Sequence, residues 1–157
     1  MATTASLSRH SPASAGRIAG LYNHVAALLD WLQPLFLLTL RLYVAKVFLT
    51  SGLLKAERWD STLALFANEY HVPLLSPQVA AMLGTAAELG LPALLLFGIG
   101  TRAAALALFA FNIVAVVSYP DLSDAGLKDH ILWGALMLVI AFVGPGKLAV
   151  DRWLGLR

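Results

Sequence analysis

Apolar residues run along this chain in four long stretches with short polar breaks between them, and that alternation is the first constraint on its fold. A helix needs about 20 residues to cross the roughly 30 Å hydrocarbon core of a bilayer. Stretches from about Pro34 to Leu54, Gln78 to Gly98, Thr101 to Tyr119 and His130 to Val143 read as such spans. The fourth is the shortest, so it is expected to tilt or to begin earlier. Turn residues support the divisions: Gly98, Gly100 and Thr101 separate the second span from the third, and Pro120, Asp121, Ser123, Asp124 and Gly126 separate the third from the fourth. No internal repeat is visible.

The flanking segments follow a different pattern. Residues 2–16 are rich in Ser, Ala and Thr, which predicts a disordered cytoplasmic tail. From Arg17 to Leu32, Ile18, Leu21, Tyr22, Val25, Leu28, Leu29 and Leu32 recur at helical spacing while Arg17, Asn23, His24 and Asp30 fall elsewhere, which predicts an amphipathic helix on the membrane surface. A cleavable signal peptide is the rival reading. The long apolar run starts only at about residue 34 and no small-residue cleavage site follows a short apolar region, which counts against it. Between the first two spans, Leu63, Leu65, Phe66, Tyr70 and Val72 predict a short interfacial helix ending at Pro73, with Pro77 opening the next span. The expected fold is therefore all-α. Residues 1–33 form a tail and surface helix, and residues 34–157 form an integral membrane four-helix bundle with an interfacial helix between its first two spans.

Composition sharpens this picture. The 157 residues are 59% hydrophobic and 13% charged, against about 45–50% and 25% in soluble domains, so an ordinary soluble enzyme is excluded. There is no cysteine, which removes disulfides, thiolate metal sites and cysteine nucleophiles. Formal net charge is +2, too slight and scattered for nucleic acid. The basic residues read instead as topology signals. Arg9, Arg17, Arg102, Lys147, Arg152 and Arg157 fall on one side; Lys55, Arg58 and Lys128 fall on the other, diluted by Glu57, Asp60, Glu69, Asp121, Asp124 and Asp129. Both termini are expected in the cytoplasm.

Ionisable groups near the bilayer centre cost about 2.5–3.5 kcal/mol on insertion scales and call for a partner or a purpose. Lys46, Glu88 and Asn112 fall near mid-span, and Arg41 nearer the cytoplasmic end. Arg41, Ala45, Phe48, Gly52 and Lys55 form one helical stripe with small members, expected to face the bundle interior. Lys46 is turned away from it, toward lipid, another groove or a partner. The sharper expectation pairs Arg41 with Glu88, with Asn112 adding a hydrogen bond; the plainer one gives a buried ion pair only a register-fixing role. At the opposite rim, Lys55, Trp59, Glu69, Tyr70, Tyr119 and His130 combine a cation, a carboxylate, an imidazole and aromatic walls. That set suits a quinone head group or small anion, although each aromatic taken singly also fits the ordinary interfacial belt. Only His130 of the four histidines sits at a span, so haem held by this chain alone is not expected. No His and carboxylate spacing suggests a metal.

These residues carry a resemblance. Arg41 with Ser51, Gly52 and Lys55, the stretch Trp59 to Thr62, Glu69-Tyr70 before Val72-Pro73, Ala87-Glu88-Leu89, then Gly98, Thr101 and Arg102, and finally Gly144-Pro145-Gly146-Lys147-Leu148 with Asp151 make the chain similar to the DoxX family over about residues 40–156. It departs from that pattern at Lys46 and Ala149. The resemblance implies a small bacterial inner-membrane protein. Because the family is named after a subunit of a thiosulfate:quinone oxidoreductase, it also implies an accessory subunit of a redox or stress-response complex, with quinone as ligand class and no cofactor bound by this chain alone. Membrane lipid and either a redox subunit or a second copy are the implied partners. Two rivals remain open: a small ion-coupled transporter titrating at Glu88, and a non-catalytic scaffold or assembly factor.

Overall fold

A backbone N–H or C=O left unpaired in hydrocarbon costs several kcal/mol, so apolar segments of this length can only be helices or closed barrels. The computed structural model, which describes the backbone of residues 12–156 and the side chains of residues 16–156, is helical in this way. It contains α1 (Pro12–Glu57), α2 (Trp59–Asn68), α3 (Pro77–Phe97), α4 (Thr101–Ser118), α5 (Asp124–Val143) and α6 (Val150–Trp153). Among the described residues, four helices are long and apolar enough to cross a membrane: α1 from Gly16 onward, α3, α4 and α5. The chain is a multi-pass membrane protein.

The helix α1 changes two expectations. It opens at Pro12, inside the segment read as disordered, and it runs on through Pro34, so the segment read as a surface helix and the first span are one helix. A proline at the first helical position loses no bond, because that N–H has no partner in any helix. Inside a helix a proline removes one N–H from the ladder, and within an apolar stretch every non-helical alternative leaves more groups unpaired. The expectations for residues 2–11 and for Arg157 lie outside the described residues. The chain divides at Gln33 and Pro34 into two units. In the first, Ile18, Leu21, Tyr22, Leu29 and Trp31 are exposed.

In the second unit the core is built from all four long helices: Val44 and Phe48 of α1, Leu95 of α3, Ala104, Ala105 and Leu108 of α4, Met137 and Ile140 of α5. The Phe48 ring stands edge-on to Phe111 and Trp133, with centroids 6.5 and 5.7 Å apart. Arg41, Ala45, Phe48 and Gly52 are buried as one stripe, while Lys46 on the opposite face is exposed. The shorter α2 packs Phe66 against Ala80 and Ala81 of α3. It ends at Asn68, ahead of the expected stop at Pro73, because the His71 N–H is bonded to the carbonyl of Ser118 at 2.7 Å and not to a preceding turn.

Local chemistry sets the helix ends. Ser76 accepts from the Val79 N–H at 3.4 Å and Pro77 occupies the first turn of α3. Ser123 accepts from the Gly126 N–H at 3.1 Å, so α5 starts at Asp124, a turn and a half ahead of His130 where the fourth span was expected to open. The short helix α6 was not expected. Its Asp151 accepts from the N–H groups of Gly100 and Thr101 at 2.6 and 2.7 Å and so closes the start of α4. Arg102 reaches across to the carbonyls of Ala141 and Phe142 at 2.6 and 2.8 Å, placing a cation at the end of α5 where the helix dipole favours one.

Candidate functional site

The buried charges do not pair as the sequence suggests. Glu88 binds Lys55, whose Nζ lies 2.6 Å from both carboxylate oxygens, and not Arg41. The reason is axial distance. Glu88 lies level with Gly52, and the eleven residues from Arg41 to Gly52 span about 16 Å of helix. Gly52 makes this approach feasible, because a Cβ there would stand 2.9 Å from the Cβ of Glu88. Arg41 is engaged at the α6 end, where Nη2 donates to the Leu148 carbonyl near the Asp151 charge while Nε and Nη1 are buried without a hydrogen-bond partner. Asn112 joins neither and pairs with His130.

Around Lys55 and Glu88 the polar atoms are nearly all used. The Ser51 hydroxyl accepts from Lys55 Nζ at 3.0 Å and donates to Glu88 Oε1 at 3.3 Å. Thr62 Oγ1 donates to the Lys55 carbonyl at 2.9 Å, tying α2 to the end of α1. The side chains of Lys55 and Glu88 are 14% and 8% exposed, so the pair is largely out of water and each charge depends on the other.

The pair forms the polar end of a cavity of about 240 Å³ whose remaining wall is mostly apolar, with Phe66, Leu83, Phe111 and Val114 prominent in it. Ser118 also lines this cavity, and its hydroxyl is buried without a partner. Tyr70 is a shared wall: it lines this cavity, a second lined by Ser51, Lys55 and Glu69, and a third lined by His71 and Pro73. It is held by stacking, with Phe66 on one face at 4.8 Å and Tyr119 on the other at 5.0 Å. The Tyr119 hydroxyl donates to Glu69 Oε2 at 3.0 Å. That bond holds the Tyr119 proton and raises its pKa above the usual 10.0; burial, and then the negative charge of Glu88, raise that of Tyr70. Both phenols are neutral hydrogen-bonding groups across the physiological range.

The six rim residues named from sequence are thus divided. Lys55, Glu69, Tyr70 and Tyr119 come together through the cavity walls and the ring stack. Trp59 lies at the start of α2, partly exposed, and is not among the residues lining these cavities. His130 lines a different groove, between α4 and α5. Sequence reasoning named Ser51 only as part of the family motif and passed over Ser118, for which only its place on an inward helical face gives a signal. It also passed over the capping role of Asp151, which a carboxylate close after a Gly-Pro-Gly turn could have suggested. Among the described residues no three His, Asp or Glu side chains gather to hold a metal ion.

Comparison with known proteins agrees with this geometry. The DoxX family pattern matches residues 36–121, more than half of the chain and the part that holds Arg41, Lys55, Tyr70 and Glu88. An uncharacterised protein of Haemophilus influenzae is 31% identical over 124 residues, which cover 73% of this chain and 80% of that one. No solved structure matches. With the family pattern covering more than half of the chain, from within α1 through α4 and including the buried Lys55–Glu88 pair, the chain belongs to the DoxX family.

Proposed function

We propose that this protein is an accessory subunit of a membrane oxidoreductase or stress-response complex, and that the Lys55–Glu88 cavity receives a quinone head group. The observation that carries the reading is a desolvated ion pair at one end of an otherwise apolar cavity of about 240 Å³. Ligand pockets are mostly apolar with a few placed polar groups and run to roughly 300–1,000 Å³ for drug-sized molecules, so this one suits a ring whose apolar tail stays in lipid. The unpartnered Ser118 hydroxyl supplies the donor to a carbonyl oxygen, while Glu88 and Ser51 take up the three donors of Lys55 and hold that charged pair at the polar end of the cavity. Tyr70 closes the ring's other side. In this reading the electrons come from a partner subunit. The protein sits in the bacterial inner membrane with both termini cytoplasmic, a reading supported by Arg102, Lys147 and Arg152 at the α6 end.

Gentle extraction from native membrane followed by mass spectrometry tests this. The expected result is a stoichiometric redox subunit, a retained quinone, or both, with quinone retention lost in Glu88→Gln and Lys55→Met. A chain recovered alone with bulk lipid sinks the reading. An ion-coupled carrier titrating at Glu88 then becomes the next candidate, favoured by that carboxylate's place in the middle of α3. Proteoliposome flux that Glu88→Gln leaves unchanged removes it in turn and leaves a scaffold.

A further inference from the structure

The Asn112–His130 pair takes no part in the reading above, and its hydrogen bonds determine the form of the imidazole. Asn112 is buried in α4 and its Nδ2 donates to the His130 carbonyl at 3.0 Å. A carbonyl can only accept, so the amide orientation is set and Oδ1 is left 2.7 Å from His130 Nδ1. An amide oxygen also only accepts, so Nδ1 carries the proton. In the neutral ring Nε2 is then a bare acceptor; the only hydrogen bond of this half-buried ring among the described residues is the one through Nδ1, and Nε2 is not one of the buried atoms left without a partner. Trp133 stands edge-on to the ring at 4.9 Å and limits its rotation.

His130 lines a groove of about 400 Å³ between α4 and α5 whose other walls are apolar, Phe109, Val116, Leu127 and Leu138 among them. Ile113, Val117 and Ile131 at its rim are exposed on the surface. We infer that this groove is a second ligand site, taking an apolar aromatic molecule with one hydroxyl, of the phenol class, whose hydroxyl donates to His130 Nε2. The lining selects that chemistry. Nε2 accepts and does not donate, so only a ligand that brings a hydroxyl pairs with it, and beyond the Asn112 amide, which already serves His130, the lining is apolar. The groove shares no lining residue with the Lys55–Glu88 cavity, so the inference stands or falls separately from the proposed function.

The test uses the full chain in phosphatidylcholine nanodiscs with ¹⁵N-labelled histidine, titrated with 4-propylphenol and, separately, with its methyl ether 4-propylanisole. Saturable movement of the His130 Nε2 resonance is expected with the phenol, at least tenfold weaker with the ether, and absent in His130→Phe. Val117→Trp, which fills the groove from its exposed rim and leaves the pair untouched, is expected to block the phenol while the protein melts as the wild type does. Equal responses to phenol and ether would mean simple partitioning and overturn the inference. So would a resting Nε2 that carries the proton, or a groove found covered by a second copy in cross-linking.

Discussion

At the scale of single residues, the decisive feature is that Lys55 and Glu88 are stable only together. Removing one partner of a buried pair costs about 3–5 kcal/mol, whereas replacing both with apolar residues is often nearly neutral. Glu88→Leu is therefore expected to destabilise by about that amount and Lys55→Leu/Glu88→Leu by much less than the sum, as read from reversible unfolding in detergent; simple additivity would disprove the contact. Gly52 is the second constraint. A methyl group there would meet the Cβ of Glu88 at 2.9 Å and the Cδ2 of Leu89 at 3.0 Å, so Gly52→Ala should cost about 1–3 kcal/mol as overpacking and loosen the ion pair with it. Sequence identified both charged residues and the inward stripe that carries Lys55. It could not select the partner, because helical phase tells which face a side chain occupies but not which residue of a neighbouring helix lies level with it.

At the scale of elements, stability concentrates where one segment closes the end of another. Asp151 of α6 closes α4: burial pushes its carboxyl up, but the bonds from Thr101 and Gly100 and the Arg41 charge outweigh this and hold it below its ordinary 3.8. A carboxyl whose folded pKa is depressed stabilises the fold at pH above its unfolded value, and that contribution is lost as pH falls through the folded value. Wild-type melting temperature should therefore drop as pH is lowered below about 4. Asp151→Asn should melt lower at neutral pH and show a shallower drop, and parallel curves for the two proteins would refute the clasp. Gly98 enforces the same junction, since its φ is +71° and a side chain there would strike Arg41 and Ala149. At the other end, Ser123→Ala should cost about 1 kcal/mol through the lost cap of α5, measured the same way. The cap signal of Ser123 was readable in the sequence, but the clasp was not: Asp151 is fifty residues from the N–H it binds.

At the scale of the whole molecule, the proposed orientation is directly measurable, because the sequence has no cysteine of its own. Leu154→Cys is expected to react with an impermeant maleimide only from the cytoplasmic side and His71→Cys only from the opposite one; the reverse pattern would invert the proposed orientation. Hydrophobic patterning by itself determined the number of spans, the bounds of α3 and α4 to within a residue or so and the inward face of α1, because in hydrocarbon the backbone has no other way to satisfy its polar groups. It also determined family membership, through motifs that the family pattern matches over residues 36–121. Only the tertiary structure decided that Glu88 meets Lys55, that Asn112 orients His130, and that His130 lines a groove apart from the Lys55–Glu88 cavity. Those outcomes depend on the axial register of one helix against the next, which is set by close approaches such as Gly52 against Glu88 and leaves no periodic trace in the chain.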